Sequence, residues 1–214
     1  MIIKKEIGIF GTSGMAREAG DIAYSLGLQP FYITRDPAEV QRWSFLSQVI
    51  LEEELPNNLD IEYVIGIADG VTRKAIAEKY AGQINFTNLI HPSATFGSGQ
   101  LELVKKCRGT IIAAGARFTS GISVDDFCIF NQNITIAHDC NVESYVHVAP
   151  GANVSGWVHL QQGAWVGAGA VIIQGSETRK LVVGTNAFIG AGAVVTEDCD
   201  SGALYVGVPA RRIN

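Results

Sequence analysis

From Ile112 onward a large apolar residue returns at every sixth position. Ile112, Phe118, Val124, Phe130, Ile136, Val142, Val148, Val154, Leu160, Val166 and Ile172 hold that step without a miss. A second register (Ala116, Ile122, Cys128, Ile134, Cys140, Val146, Ala152, Val158, Ala164, Ala170) is apolar and mostly smaller. Between the registers stand chiefly Gly, Asn, Asp, Ser, Gln and His. A short strand and a turn repeated at a fixed period form a solenoid. The two registers lie two residues apart on a strand, so both point inward and the residue between them points out. Each hexapeptide is one side of a triangular prism, and coils stack at about 4.8 Å. The sequence therefore predicts a hexapeptide parallel β-helix. The next step after Ile172 lands on polar Thr178, and the period resumes at Val183, Ile189 and Val195. Residues 175–180 are expected as a loop outside the prism, of the kind that often covers a site.

The same register places Cys128 and Cys140 inside, where a thiol is a small inert hydrophobe. A covalent mechanism through either is disfavoured. No cysteine pair has a metal-type spacing, and a chain of 214 residues needs no disulfide staple, so a reducing cytoplasm is the expected setting. A net charge of −5 disfavours nucleic acid and anionic membrane as partners, since both demand a basic face. No apolar run approaches the ~18 residues of a membrane span, and the opening MIIKKEIGIFG lacks a secretion signal.

The first ~88 residues alternate strand and helix signals. Strands are expected at 7–10, 30–34, 61–68 and 84–90. One helix carries Ala19, Ile22, Ala23 and Leu26 on a single face and stops at Gly27; another spans 71–80. This is the pattern of a small parallel α/β domain, with boundaries of 1–88 for it and 89–214 for the β-helix. Gly8, Gly11 and Gly14 give GxxGxxG and not the GxGxxG dinucleotide fingerprint, so NAD is disfavoured. A glycine turn entering a helix fits a tight β–α connection, and it equally offers N–H groups and a positive dipole end to a phosphate.

Within the repeat, Asn131 through Cys140 and then His147 form an unusually polar stretch. His138 and Asp139 fall at a prism corner, facing out. A carboxylate beside an imidazole fixes its tautomer and raises its basicity, as a general base requires; a polar turn pair would have the same spacing. His138, His147 and His159 fall on different corners or faces of one chain, so a three-His zinc site would need several subunits. Trp157 at a turn and Trp165 facing out are candidates for a subunit contact or a cofactor contact.

At these residues the chain resembles the sialic-acid O-acetyltransferase and amino-sugar N-acetyltransferase family (NeuD/PglD-like). The match rests on Gly11-Thr12-Ser13-Gly14, Asn88-Leu89-Ile90-His91-Pro92-Ser93-Ala94, Asn131, His138-Asp139-Cys140, His147 and Gly207-Val208-Pro209-Ala210. The resemblance implies a left-handed β-helix behind a small Rossmann-like α/β domain. It further implies a homotrimer with a site in each cleft between subunits, acetyl-CoA along the prism and no metal. His138 matches the family's general base, Asp139 its supporting acid, and Asn131 an Asn close to the reacting sugar. His147 matches a residue that contacts acetyl-CoA, and Ala168 and Ala191 fall where the backbone meets that cofactor. Thr12, Ser13, Gly14, Arg35, Asp36 and Ala68 match the nucleotide-sugar side.

Three departures bear on the nucleotide: Arg35-Asp36 stands where the family often has Asp-Asp, Ile67-Ala68-Asp69 replaces Ile-Gly-Asn, and Met15 follows the Ser-Gly turn. The implied reaction is acetyl transfer from acetyl-CoA to the C4 amine of a dTDP- or UDP-linked 4-amino-4,6-dideoxy sugar, in surface-polysaccharide or glycan assembly. The alternatives are an O-acetyltransferase acting on sialic acid or another hydroxyl, a metal-dependent hydratase and a non-catalytic β-helical scaffold.

Overall fold

The computed structural model describes residues 5–56 and 60–213. Five parallel strands form the N-terminal sheet: β1 (Glu6–Phe10), β2 (Gln29–Thr34), β3 (Gln48–Leu51), β4 (Glu62–Ile65) and β5 (Asn85–Phe86). Their spatial order is β3-β2-β1-β4-β5. The helices are α1 (Gly14–Ser25), α2 (Pro37–Arg42) and α3 (Gly70–Lys79). Neither α2 nor β3 was expected from the sequence. Pro37 at the first turn and the Asp36 cap carry α2, a signal too short to show periodicity.

The remainder is a prism of three parallel sheets, of eight, six and four strands among the described residues, the largest ending in an antiparallel strand, Arg211–Arg212. Both apolar registers point inward and are almost wholly buried. A left-handed backbone recurs at every sixth residue from Gly109 to Gly169. Glycine, Asn and Asp adopt that conformation at low cost. Phe127, Tyr145 and Trp157 also adopt it, with φ of 58°, 64° and 59°, where a bulky side chain is an outlier.

The expected strand at 84–90 is two strands. Asn85–Phe86 closes the N-terminal sheet, whereas Leu89–Ile90 starts the prism by pairing with Ile111–Ile112. Asn88 makes the crossing between them: its Nδ2 donates to the Cys107 carbonyl, and its Oδ1 accepts from Thr110 N at 2.9 Å. The expected strand 61–68 is the shorter Glu62–Ile65, and Gly66 just beyond it packs on α1, where a Cβ would stand 2.6 Å from Ala16 Cα. A further helix, α4 (Gln100–Val104), takes the place of a strand in the first coil. The Gln100 side-chain amide pairs with both Ile122 backbone groups at 2.7 and 3.0 Å, as a strand neighbour would. Val104 and Cys107 close that end of the core. Residues 174–180 leave the prism as a loop before Leu181–Val183 resumes it.

The N-terminal domain docks on the prism's largest face. Outward residues Leu89, Ile111, Ile129, His147, Trp165 and Phe188 form a ladder there. The first three are buried with Met15, Ala16, Ala19, Ile22 and Ala23 of α1. Each such large side chain removed from water contributes ~1.5–3 kcal/mol.

Candidate active site

His138 sits on the corner between the six- and four-stranded sheets. Its Nδ1 lies 2.8 Å from Asp139 Oδ2, and the two side chains are 51% and 39% exposed. An ionised carboxylate only accepts, so Nδ1 carries the proton and Nε2 presents its lone pair to solvent. Two glycines make room for the pair. A Cβ at Gly121 would stand 2.7 Å from Asp139 Oδ1, and one at Gly156 would stand 2.5 Å from His138 Cε1. Trp157, in the next coil, meets the imidazole edge-on at 6.3 Å, and Lys180 from the extruded loop lies 5.6 Å from the indole.

Asn131 and His147 lie elsewhere on the same chain, at the corner between the eight- and six-stranded sheets. Asn131 Nδ2 is 3.0 Å from His147 Nε2 and donates to the Val148 carbonyl at 3.0 Å. The His147 ring stacks on Trp165 at 3.9 Å, and Trp165 stacks on Phe188 at 5.4 Å. Burial, with the nearby Arg73 charge, pushes the His147 pKa down to about 3. It is a neutral imidazole, and its Nδ1 is buried with no partner. Exposed Ala168 and Ala191 follow down this same edge, tied by Gly192 N to the Ala168 carbonyl at 2.8 Å. The chain thus groups Asn131, His147, Ala168 and Ala191 along one edge and puts His138 and Asp139 on another.

The third group surrounds a cavity of about 340 Å³ at the carboxyl ends of β1, β2 and β4. Thr12, Ser13 and Arg35 line it, together with Thr34, Glu39 and Glu52, which sequence reasoning missed. Ser13 is the N-cap of α1 but makes no side-chain cap, and no acidic residue occupies that helix's first turn. Gly11 holds φ at +105° and packs on Ile67 and Gly66, so the fold requires glycine there; Gly14 has open space around it. Asp36 does not line the cavity, because its carboxylate caps α2 by accepting from Ala38 N at 2.9 Å. Ala68 is also absent from the lining, and its carbonyl accepts from Arg73 at 2.7 Å.

Arg73 had no sequence signal beyond its place in a helix, yet it joins the two domains. It is 0% exposed, and among the described residues no carboxylate forms an ion pair with it. Its guanidinium donates to the carbonyls of Ile67 and Ala68 in its own domain and to those of Phe127, Tyr145 and Val146 in the prism. Burial lowers its pKa to about 10, so it stays charged at neutral pH.

All four cysteines are buried and free, and burial pushes the Cys128, Cys140 and Cys199 thiols up to about 12, 11 and 12. None is an available nucleophile. Among the described residues no three His, Cys, Asp or Glu side chains converge as a metal site. His159 is engaged by Glu143 at 2.7 Å. No helix among the described residues is long and apolar enough to cross a membrane.

Comparison with solved structures gives matches over the full chain. WeeI from Acinetobacter baumannii AYE superposes with a TM-score of 0.85 at 26% identity, covering 98% of this chain and 100% of that one. The acetyltransferase domain of PglB from Neisseria gonorrhoeae FA1090, in complex with acetyl coenzyme A, gives 0.82 at 24% identity over 98% and 100%. PerB from Caulobacter crescentus, in complex with CoA and GDP-perosamine, gives 0.85 at 24% over 99% and 98%. The fold is that of these three solved structures. No protein-family model and no curated protein sequence matches the chain.

Proposed function

We propose that the protein is an acetyl-CoA-dependent N-acetyltransferase acting on the C4 amine of a nucleotide-linked 4-amino-4,6-dideoxy sugar, in polysaccharide or glycan assembly. The observation that carries this reading is the His138–Asp139 pair, held on an exposed corner with Nε2 unengaged, in a chain whose whole length superposes on acetyltransferases. The sheet order β3-β2-β1-β4-β5 supports a Rossmann-like nucleotide domain over 1–88, since such sheets take ligands at their carboxyl ends where the order reverses. The bare N-terminus of α1 beside that cavity suits a diphosphate.

In this reading the sugar amine attacks the thioester carbonyl. A C–N bond forms, the C–S bond breaks, and His138 Nε2 takes the amine proton as Asp139 stabilises the imidazolium. The proton then passes to the departing CoA thiolate. General-base help of this kind is worth ~10²–10⁴-fold. Because Asn131, His147, Ala168 and Ala191 occupy a different edge from His138, a homotrimer with a shared cleft would unite the two groups between neighbours. The unpaired cysteines favour a cytoplasmic setting.

The test is thiol release from acetyl-CoA with a panel of UDP-, GDP- and dTDP-linked 4-amino sugars, beside free sialic acid. Amide formation on an amino sugar is expected. Ester formation on sialic acid alone would overturn the amine assignment.

A further inference from the structure

Asp36, the acidic residue that the resemblance implies for the nucleotide, caps α2 and does not line the cavity, which contains different carboxylates. Glu39 lies in the first turn of α2 and reaches back over the ends of β1 and β2. Thr12 Oγ1 donates to its Oε2 at 2.8 Å, and Thr34 Oγ1 donates to the same oxygen at 2.5 Å. Thr34 Oγ1 in turn accepts from Asp36 N at 3.1 Å. Both threonines are buried, at 3% and 7% exposure. The carboxylate is therefore clamped from the β1–α1 turn and from the end of β2, and both clamps use one oxygen. Oε1 keeps its lone pairs, and Glu39 lines the cavity beside Thr12 and Ser13. Glu52, the other cavity carboxylate, is already saturated by Arg35, Lys79 and Tyr80.

In a nucleotide bound at the carboxyl edge of such a sheet, with its diphosphate at the first helix N-terminus, the ribose lies over the ends of the first two strands. An acidic side chain there takes the ribose hydroxyls. We infer that Glu39 is the ribose-reading residue of this site, accepting from the 2′- and 3′-hydroxyls, and that the acceptor substrate is a ribonucleoside diphosphate sugar. The inference rests on the nucleotide-sugar reading above and narrows it: UDP- and GDP-linked sugars fit, and a dTDP-linked sugar, lacking the 2′-hydroxyl, does not. A preset carboxylate with no remaining partner also disfavours the deoxy analogue, because it loses water on binding and gains one hydrogen bond fewer.

Calorimetry on the full chain with UDP against dUDP, and GDP against dGDP, tests this without any sugar. The wild type is expected to bind the better ribonucleotide ~10- to 100-fold more tightly than its 2′-deoxy analogue, the value of one charge-assisted hydrogen bond. Glu39→Ala should bring that ratio to near one and leave the acetyl-CoA dissociation constant unchanged. Equal binding of ribo and deoxy forms by the wild type would overturn the ribose assignment and leave the nucleotide site standing. Failure of all four nucleotides to bind would overturn both. The wild-type ratio stands even if the variant fails to fold, and Thr34→Val, which frees Glu39 without removing it, should weaken the preference partway.

Discussion

Gly156 lies beneath His138 so closely that a single methyl group would collide with the imidazole: the added Cβ would stand 2.5 Å from Cε1 and 2.6 Å from Nε2. The backbone at Gly156 is not in the left-handed region, so a Cβ is objectionable only because of that ring. Gly156→Ala is expected to push the imidazole off Asp139 and lower kcat at least ~10-fold, with the KM for acetyl-CoA little changed. Full activity in a steady-state assay would show that the ring's position there does not matter.

His138→Asn tests the base itself. The corner is solvent-facing and the flanking core residues Ile136 and Cys140 are untouched, so the melting temperature should hold. Turnover should fall ~10²–10⁴-fold while acetyl-CoA still binds. A variant retaining half its activity would remove His138 from the mechanism.

Arg73 should carry stability as well as position. Arg73→Met takes the donor from the carbonyls of Ile67, Ala68, Phe127 and Tyr145, while Val146 keeps Ile129 N at 2.9 Å; Phe127 and Tyr145 already hold costly left-handed backbones. A loss of ~2–4 kcal/mol in urea unfolding is expected, with loosening concentrated where the domains meet. Hydrogen exchange confined to the N-terminal domain would argue against its bridging role.

Glu52 gives a pH signature. Burial opposes its charge, but hydrogen bonds from Arg35, Lys79 and Tyr80 outweigh that and bring its pKa from 4.5 down to about 2. A depressed carboxylate binds fewer protons folded than unfolded, so its stabilisation is present above pH 4.5 and lost as pH falls toward 2. The shift is worth at most ~3 kcal/mol, less what its half-exposed cationic partners lose to solvent. Glu52→Gln should lower the melting temperature at pH 7 and flatten its decline through that acid window. His147 adds a decline of the same sign at higher pH: its folded pKa of about 3 lies below the ordinary 6.5, so stability falls as pH drops through 6.5. An Asn131→Ala variant that leaves His147 buried should keep this second limb.

The prism was legible because its signal repeats: the two registers predict which side chains point inward, and the structure buries nearly all of them. His138 was legible for the same reason, since the register alone sends it outward. What the sequence hid depends on single contacts between distant segments. Arg73 meets Tyr145 across 72 positions, and Glu39 meets Thr12 across 27; neither contact leaves a periodic trace. The resemblance implies Asp36 on the nucleotide side, whereas its carboxylate caps α2 through Ala38 N, a local hydrogen bond that competes with a ligand and that no family pattern displays. The aromatic corners Phe127, Tyr145 and Trp157 defy residue preference; the first two stack on each other and lend carbonyls to Arg73, and Trp157 meets His138 edge-on.

On one chain His138 and Asn131 stand on different edges of the prism. If a catalytic cleft takes His138 from one subunit and the Asn131 edge from its neighbour, His138→Asn and Asn131→Ala trimers should each be poorly active for different reasons. Unfolding and refolding an equal mixture then redistributes the subunits. A cleft is intact when an Asn131→Ala chain supplies the base and a His138→Asn chain supplies the other edge, which random assembly gives in about a quarter of clefts. Activity should therefore return to about a quarter of wild type. Separately refolded controls should stay inactive, and light scattering should report a particle three times the 22.9 kDa chain. No regain in a verified mixed trimer would mean that each protomer brings its own two edges together by a rearrangement, and the shared-cleft reading would fail.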